Sequence, residues 1–243
     1  MIQAGWGDAP HLGDRMKAQL LASIPSHEIQ ARTKGVPTLG SGAVFPVDED
    51  DIKVEAFALP SHWARIAAID FGWDHPTAVV WYAWDRDTDT TYLYDCMRAR
   101  KTAIPIHASA INGRGKWIPV AWPQDGYGSD GKRDGKPIRD LYAAESVRML
   151  PEHATLPDGS NSVEAGVQEM LIAMLEGRFK VFSHLNDWFS EYRTYHRKEG
   201  KIVKEHDDLM DAGRYGYVSR RFARVQPNKD EDRPRRERSW KLA

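Results

Sequence analysis

The chain has 243 residues, 41% hydrophobic and 28% charged, with a formal net charge of -1 at pH 7 and a single cysteine. That length holds one sizeable core with appendages or two small ones; no apolar run approaches the roughly 18 residues that would span a bilayer, and MIQAGWGDAPHLGDR lacks the apolar segment of a secretory signal. Cys96 alone excludes an internal disulfide and fits a reducing cytoplasm, while the near-neutral charge leaves nucleic acid open as a partner, because a basic groove is readily offset by acids elsewhere.

In chain order, GDRMKAQLLASIPSHEIQART predicts a helix with Met16, Leu20, Leu21 and Ile24 on one face and a break at Pro25. The following KGVPTLGSGAVFPVDEDDIKVEAFALPSHW mixes glycine, proline and short apolar runs without a period. Residues 1–60 therefore read as a helix and an extended linker, the tail of an absent upstream domain. From Arg65 the pattern turns β: RIAAIDFG, TAVVWYAWD and TTYLYDCMRA, with DRDTD as a tight polar turn, predict an antiparallel three-strand meander. AIPIHASAING reads as a short helix ending near Gly113, and KWIPVAWPQDG as a buried strand that stops at Pro123.

The glycine-rich residues 126–137, GYGSDGKRDGKP, predict a surface loop. A helix follows in IRDLYAAESVRML. Val163, Val167, Met170, Leu171, Met174 and Leu175 then recur at spacings of three and four, with Asn161 or Ser162 as N-cap and Gly177 at the C-terminus. RFKVFS predicts a strand, LNDWFSEYRTYH a helix, KEGK a turn, and EHDDLMDAGRYGYVSRRF the last helix. Residues 223–243, dense in charge, read as a disordered tail. Strands alternating with helices after an antiparallel start make the class α/β.

Acids stand at three places where an element would aim them inward. Asp70 follows the apolar IAAI, Asp125 lies just past WIPVAWPQ, and Asp207, Asp208 and Asp211 open the last helix. An unpaired carboxylate at the end of a buried strand is costly, and acids three or four apart on a helix repel. Acids from separate segments become tolerable around a hard cation such as Mg²⁺ or Mn²⁺, which takes oxygen ligands; two such ions serve phosphodiester hydrolysis. Each acid also has a plainer reading: Asp125 as a loop acid, Asp207 as a partner for the helix dipole, Asp74 as a cap on the turn into Pro76.

The series IAAIDFGWDHPTAVVW, WIPVAWPQDG and HDDLMDAGRYG resembles the nuclease domain of the large terminase subunit of tailed bacteriophages, a member of the RNase H-like superfamily. The resemblance covers about residues 60–222, and LLASIPSHEIQARTKGVPTLGSGAVFPV is similar to the segment that joins the family's packaging ATPase to its nuclease. It implies an RNase H-like mixed sheet over residues 61–222, with the meander extended by parallel strands and flanked by helices.

It also implies that Asp70 bridges two Mg²⁺ or Mn²⁺ ions, with Asp125 and Asp211 as the other catalytic acids and Asp208 as an accessory ligand. His206 and Asp207 read as surface or capping residues. Gly72 keeps the backbone low beside the metals, and His75 either touches a phosphate or packs at the turn. Lys132, Arg133 and Lys136 contact the DNA backbone or belong to a solvated loop; Trp73, Trp81, Trp84 and Trp122, in apolar runs, read as core.

The implied activity is metal-dependent endonuclease cleavage of double-stranded viral DNA concatemers during genome packaging, with low sequence specificity, in the cytoplasm of the infected bacterium. The implied partners are DNA, the portal protein, the small terminase subunit and an upstream ATPase domain. GSDGKRDGKP has the wrong spacing for the G-x-x-x-x-G-K-[ST] phosphate loop, so this chain carries no motor motif and reads as a piece of a longer protein. Two other readings stand beside this one: a non-catalytic docking module of a packaging complex, and an actin-like or sugar-kinase fold, whose first phosphate loop DFGWDHPT resembles but whose second, glycine-rich loop is missing.

Overall fold

In the computed structural model, which describes Trp6, Thr33 and residues 12–24, 42–129 and 135–227, one sheet comprises β1 (Lys53–Val54), β2 (Ala64–Asp70), β3 (Thr77–Asp85), β4 (Thr90–Ala99), β5 (Val120–Ala121) and β6 (Phe179–Phe182). Their spatial order is β1-β6-β4-β3-β2-β5. The expected meander is there: β2 pairs antiparallel with β3, and β3 with β4. On its two sides the pairing turns parallel, β5 against β2, and β6 between β4 and β1.

Both faces of this sheet are covered, which is why its strands read as continuous apolar runs rather than alternating ones. Successive side chains still part to opposite faces. Ile66, Ala68, Val80 and Tyr82 pack against α5 (Val163–Leu175), α6 (Asn186–Thr194) and α7 (Asp208–Val218). Ala67, Ile69, Val79 and Trp81 pack against α3 (Ile104–Gly113) and α4 (Ile138–Ala144). Helix α5 starts as its sequence predicts, with the Ser162 hydroxyl accepting from the Ala165 amide.

Several local outcomes differ from the sequence reading. The stretch read as an extended linker supplies β1 and α2 (Glu49–Ile52), and buries Val44, Phe45, Val47 and Ile52 in the core. It has no period because most of it is irregular, yet its apolar side chains fill the end of the sheet where β6 would otherwise be an open edge. Strand β5 has only two residues, because Pro119 and Pro123 bracket it and contribute no amide to a ladder. At KEGK the turn belongs to a small hairpin, β7 (Arg197–Lys198) and β8 (Lys201–Ile202). Glu199 and Gly200 have φ of 51° and 78°, the left-handed pair that a tight hairpin turn requires.

Helix α1 (Asp14–Ser23) forms as expected, but Met16, Leu20 and Leu21 are exposed. Trp73 is half exposed, against its reading as core; it sits in the turn after β2, where no second layer reaches it. Trp81 and Trp122 are fully buried. Arg224 exchanges backbone hydrogen bonds with Arg65, so the chain stays on the sheet at the start of the expected tail; residues from 228 onward lie outside the described residues. Among the described residues no helix is long and apolar enough to cross a membrane.

Candidate metal centre

The parallel pairing of β2 and β5 decides where the first two acids lie. Ala67 and Ala68 register with Val120 and Ala121, so the two strands point the same way and end at the same rim of the sheet. Asp70 is the last residue of β2, and Asp125 sits in the 3₁₀ turn Gln124–Tyr127 that follows β5. Gly126 makes that turn possible: a Cβ there would lie 2.5 Å from the Trp122 ring and 2.9 Å from that of Phe71.

The third segment is held by close packing of α7 on the meander. A Cβ on Gly216 would lie 2.7 Å from the Tyr82 ring and 3.1 Å from Ala68 Cβ, so only glycine lets the helix lie this low. The Tyr82 hydroxyl donates to the Gly213 carbonyl at 3.1 Å. With α7 fixed against β2 and β3, its N-terminal turn, carrying Asp208 and Asp211, comes to the rim where Asp70 stands.

The electrostatics record that convergence. The Asp70 carboxyl is pushed well above the usual carboxylate range, first by burial and then by the charges of Asp211, Asp125, Asp208 and Asp207. Asp125 is open to solvent, yet the protein around it and Asp211 raise its carboxyl against hydrogen bonds from the backbone. Burial also raises Asp208, opposed by His75, Arg98 and His206. Burial and then Asp211 raise Asp207, opposed by Lys204.

Asp211 accepts from Lys204 Nζ at 2.5 Å and from Arg214 Nη2 at 3.1 Å. Asp207 makes no side-chain cap on α7, and its Oδ2 lies 3.3 Å from Lys204 Nζ, so of the surface or capping roles expected of it the capping one is not seen. His206 is exposed, as expected, with φ of 54°. Among the described residues no three His, Cys, Asp or Glu side chains stand in metal-holding geometry. The donor set nevertheless fits a hard divalent cation: carboxylates from three segments act on one another at this rim, and the charged neighbours of the half-buried Asp70 are all acids.

Two hollows adjoin the acids. One, of about 500 Å³, opens beside Asp125 and is lined by Phe71, Trp73, His107 and Tyr142. The other, of about 430 Å³, is lined by His75, Arg98, Arg100, Lys204 and His206 beside Asp208. Lys136 is exposed, whereas Lys132 and Arg133 lie outside the described residues. Gly72 closes the turn after β2: a Cβ would meet the His75 and Pro76 carbonyl oxygens at 2.5 Å, and the Thr77 hydroxyl donates to its carbonyl.

Sequence reasoning missed Glu191, Lys204 and Arg214. Glu191 is 2% exposed on α6; burial pushes its carboxyl up to about 7 against the Leu209 amide and Arg98. No local pattern marks it, because its partners come from β4 and from the start of α7.

Comparisons with known proteins agree with this architecture. Residues 67–220 match the family described as the terminase RNaseH-like domain. The large terminase subunit of Salmonella phage P22 is 47% identical over 219 residues, 90% of this chain and 44% of that protein. The corresponding subunit of Enterobacteria phage LP7 is 46% identical over 214 residues, 88% of this chain and 45% of that protein. This chain thus spans less than half the length of either relative. The solved P22 large terminase nuclease domain superposes with a TM-score of 0.71 at 46% identity, covering 77% of this chain and 97% of that one. The large terminase of a thermophilic bacteriophage, solved in complex with ATP-gamma-S, shares the fold at 16% identity and a TM-score of 0.60, covering 88% of this chain and 54% of its own.

Proposed function

The chain belongs to the RNase H-like nuclease domains of terminase large subunits, a phosphodiester hydrolase family, and on that premise we propose that it is a metal-dependent endonuclease that cuts double-stranded viral DNA concatemers during packaging. The observation that carries this reading is the meeting of Asp70, Asp125 and the first turn of α7 at one rim of the sheet, with Asp70 feeling all the other acids. Asp70, Asp125 and Asp211 are the catalytic acids, and Asp208 adds a fourth carboxylate to the same set.

Held by these residues, two Mg²⁺ or Mn²⁺ ions would supply an activated water and stabilisation of the departing 3′ oxygen. The chain's own residues do the rest. Asp70 is fixed by a strand paired on both sides, so its carboxylate needs little reorganisation. Lys204 and Arg214 hold the Asp211 carboxylate in place from two sides. Arg100, in the hollow beside Asp208, and the exposed Lys136 would meet backbone phosphates, contacts that carry affinity without sequence information. An upstream ATPase domain, the portal and the small subunit are the partners of this reading, in the cytoplasm of the infected host.

Plasmid cleavage tests it. Degradation that requires Mn²⁺ or Mg²⁺, stops with chelator and is abolished in a folded Asp70→Asn variant supports the nuclease. Retained cleavage in that variant overturns the assignment of Asp70. A wild-type protein that neither cuts nor binds Mn²⁺ returns the domain to a docking role.

A further inference from the structure

The N-terminus of α7 is capped from outside. Asp207 stands at the N-cap, where an Asp side chain normally accepts from the amide two or three residues on, but it makes no such bond. Glu191 of α6 takes over: its Oε2 accepts from the Leu209 amide at 2.7 Å. Its Oε1 accepts from Arg98 Nη1 of β4, also at 2.7 Å. Buried carboxylates are rare unless paired, and a carboxylate with a donor on each oxygen is fixed in both place and direction.

We propose that Glu191 is the positioning residue of the metal centre: clamped by Arg98, it caps α7 in place of Asp207 and thereby aims Asp208 and Asp211 at Asp70. The inference rests on the nuclease reading above. The exchange of capping partner has a clear consequence. Were Asp207 to turn back onto its own helix, it would draw the first turn with it and commit a carboxylate to the backbone. With Glu191 doing the capping, the Asp207 and Asp211 carboxylates both face Lys204, and Asp208 remains beside His75 and Arg98 in the second hollow. Because β4 is paired directly to β3, and β3 to β2, the Arg98–Glu191 pair ties the α7 acids to the same sheet that carries Asp70.

The test uses the whole chain with Glu191→Ala and Glu191→Gln in mildly alkaline buffer, read by Mn²⁺ titration calorimetry, by hydrogen exchange of the Leu209 amide, and by plasmid cleavage as kcat and KM separately. Outer partners of metal ligands typically contribute about 10–100-fold in metal affinity or activity. The expected result for Glu191→Ala is a loss of Mn²⁺ affinity in that range, faster Leu209 exchange, and a fall in kcat with KM for DNA nearly unchanged. Glu191→Gln, which keeps an oxygen for Leu209, recovers part of each and stands in for the alanine variant should that one not fold. Wild-type Mn²⁺ affinity and kcat in either folded variant overturn this inference alone. A wild-type protein that neither binds Mn²⁺ nor cuts DNA overturns the nuclease reading and this inference with it.

Discussion

Lys204 Nζ lies 2.5 Å from Asp211 Oδ2 and 3.3 Å from Asp207 Oδ2, so an ammonium group already offsets part of the acid cluster. A divalent cation entering there competes with that ammonium for the same oxygens. Lys204→Met is therefore expected to bind Mn²⁺ several-fold more tightly than wild type while its metal-free form melts at a lower temperature. Calorimetry and thermal melts in chelator check both, and equal Mn²⁺ affinity would show that Lys204 and the cation use different oxygens.

The raised Asp70 carboxyl sets a pH dependence. In the folded metal-free protein Asp70 keeps its proton to higher pH than it does unfolded, so the native state binds more protons in the interval between the two values. Stability from this group is present below the ordinary carboxylate range and is lost as pH rises through the folded value. In chelator, melting temperature is expected to fall over that interval in wild type and to be flatter in Asp70→Asn. Saturating Mn²⁺ favours the ionised form and should remove the fall; identical pH profiles for the two proteins in chelator would refute the effect.

Gly216 is a spacing device as much as a helix residue. An alanine there would place its Cβ 2.7 Å from the Tyr82 ring, forcing α7 off β2 and β3. Overpacking of this kind costs about 1–3 kcal/mol, and here the displaced element carries Asp208 and Asp211. Gly216→Ala is expected to lower the melting temperature and to reduce kcat by more than the stability loss explains at a temperature where the protein is folded. Gly213→Ala, whose Cβ would be 3.2 Å from the Tyr82 hydroxyl, should do less on both measures.

Much of this architecture is legible in the sequence. The three meander strands and their turns follow from the apolar runs, because a strand buried on both faces leaves few alternatives for such a stretch. The acids Asp70 and Asp125 are visible because a carboxylate at the end of an apolar run is out of place. What stays hidden is long-range: Glu191 meets Arg98 across 93 positions and Leu209 across 18. Nothing within a few residues of Glu191 signals either. Trp73 misleads for the complementary reason, since an aromatic next to a buried strand looks like core until the turn that carries it is seen to leave it exposed.

The flanking cations make a prediction for DNA binding. Using the Asp70→Asn variant so that the DNA stays intact, Arg100→Ala and Lys136→Ala are each expected to weaken duplex binding uniformly across sequences. Each should also reduce the slope of log affinity against log salt by about one, the signature of one lost phosphate contact. Fluorescence anisotropy over a salt series measures this, and an unchanged slope would remove that residue from the DNA path.

The short strand β1 carries a consequence for anyone cutting this chain at the end of the apparent linker. Starting the protein near residue 61 would remove Lys53 and Val54 from the flank of β6 together with buried Ile52 and Phe45. That leaves Phe179–Phe182, three of whose four side chains are buried, still paired with β4 but with its outer edge of amides and carbonyls bare and backed by apolar surface. Such edges recruit one another. A piece trimmed there is expected to self-associate into insoluble material even with every acid of the centre intact, whereas one that begins before Ala43 keeps its own edge covered.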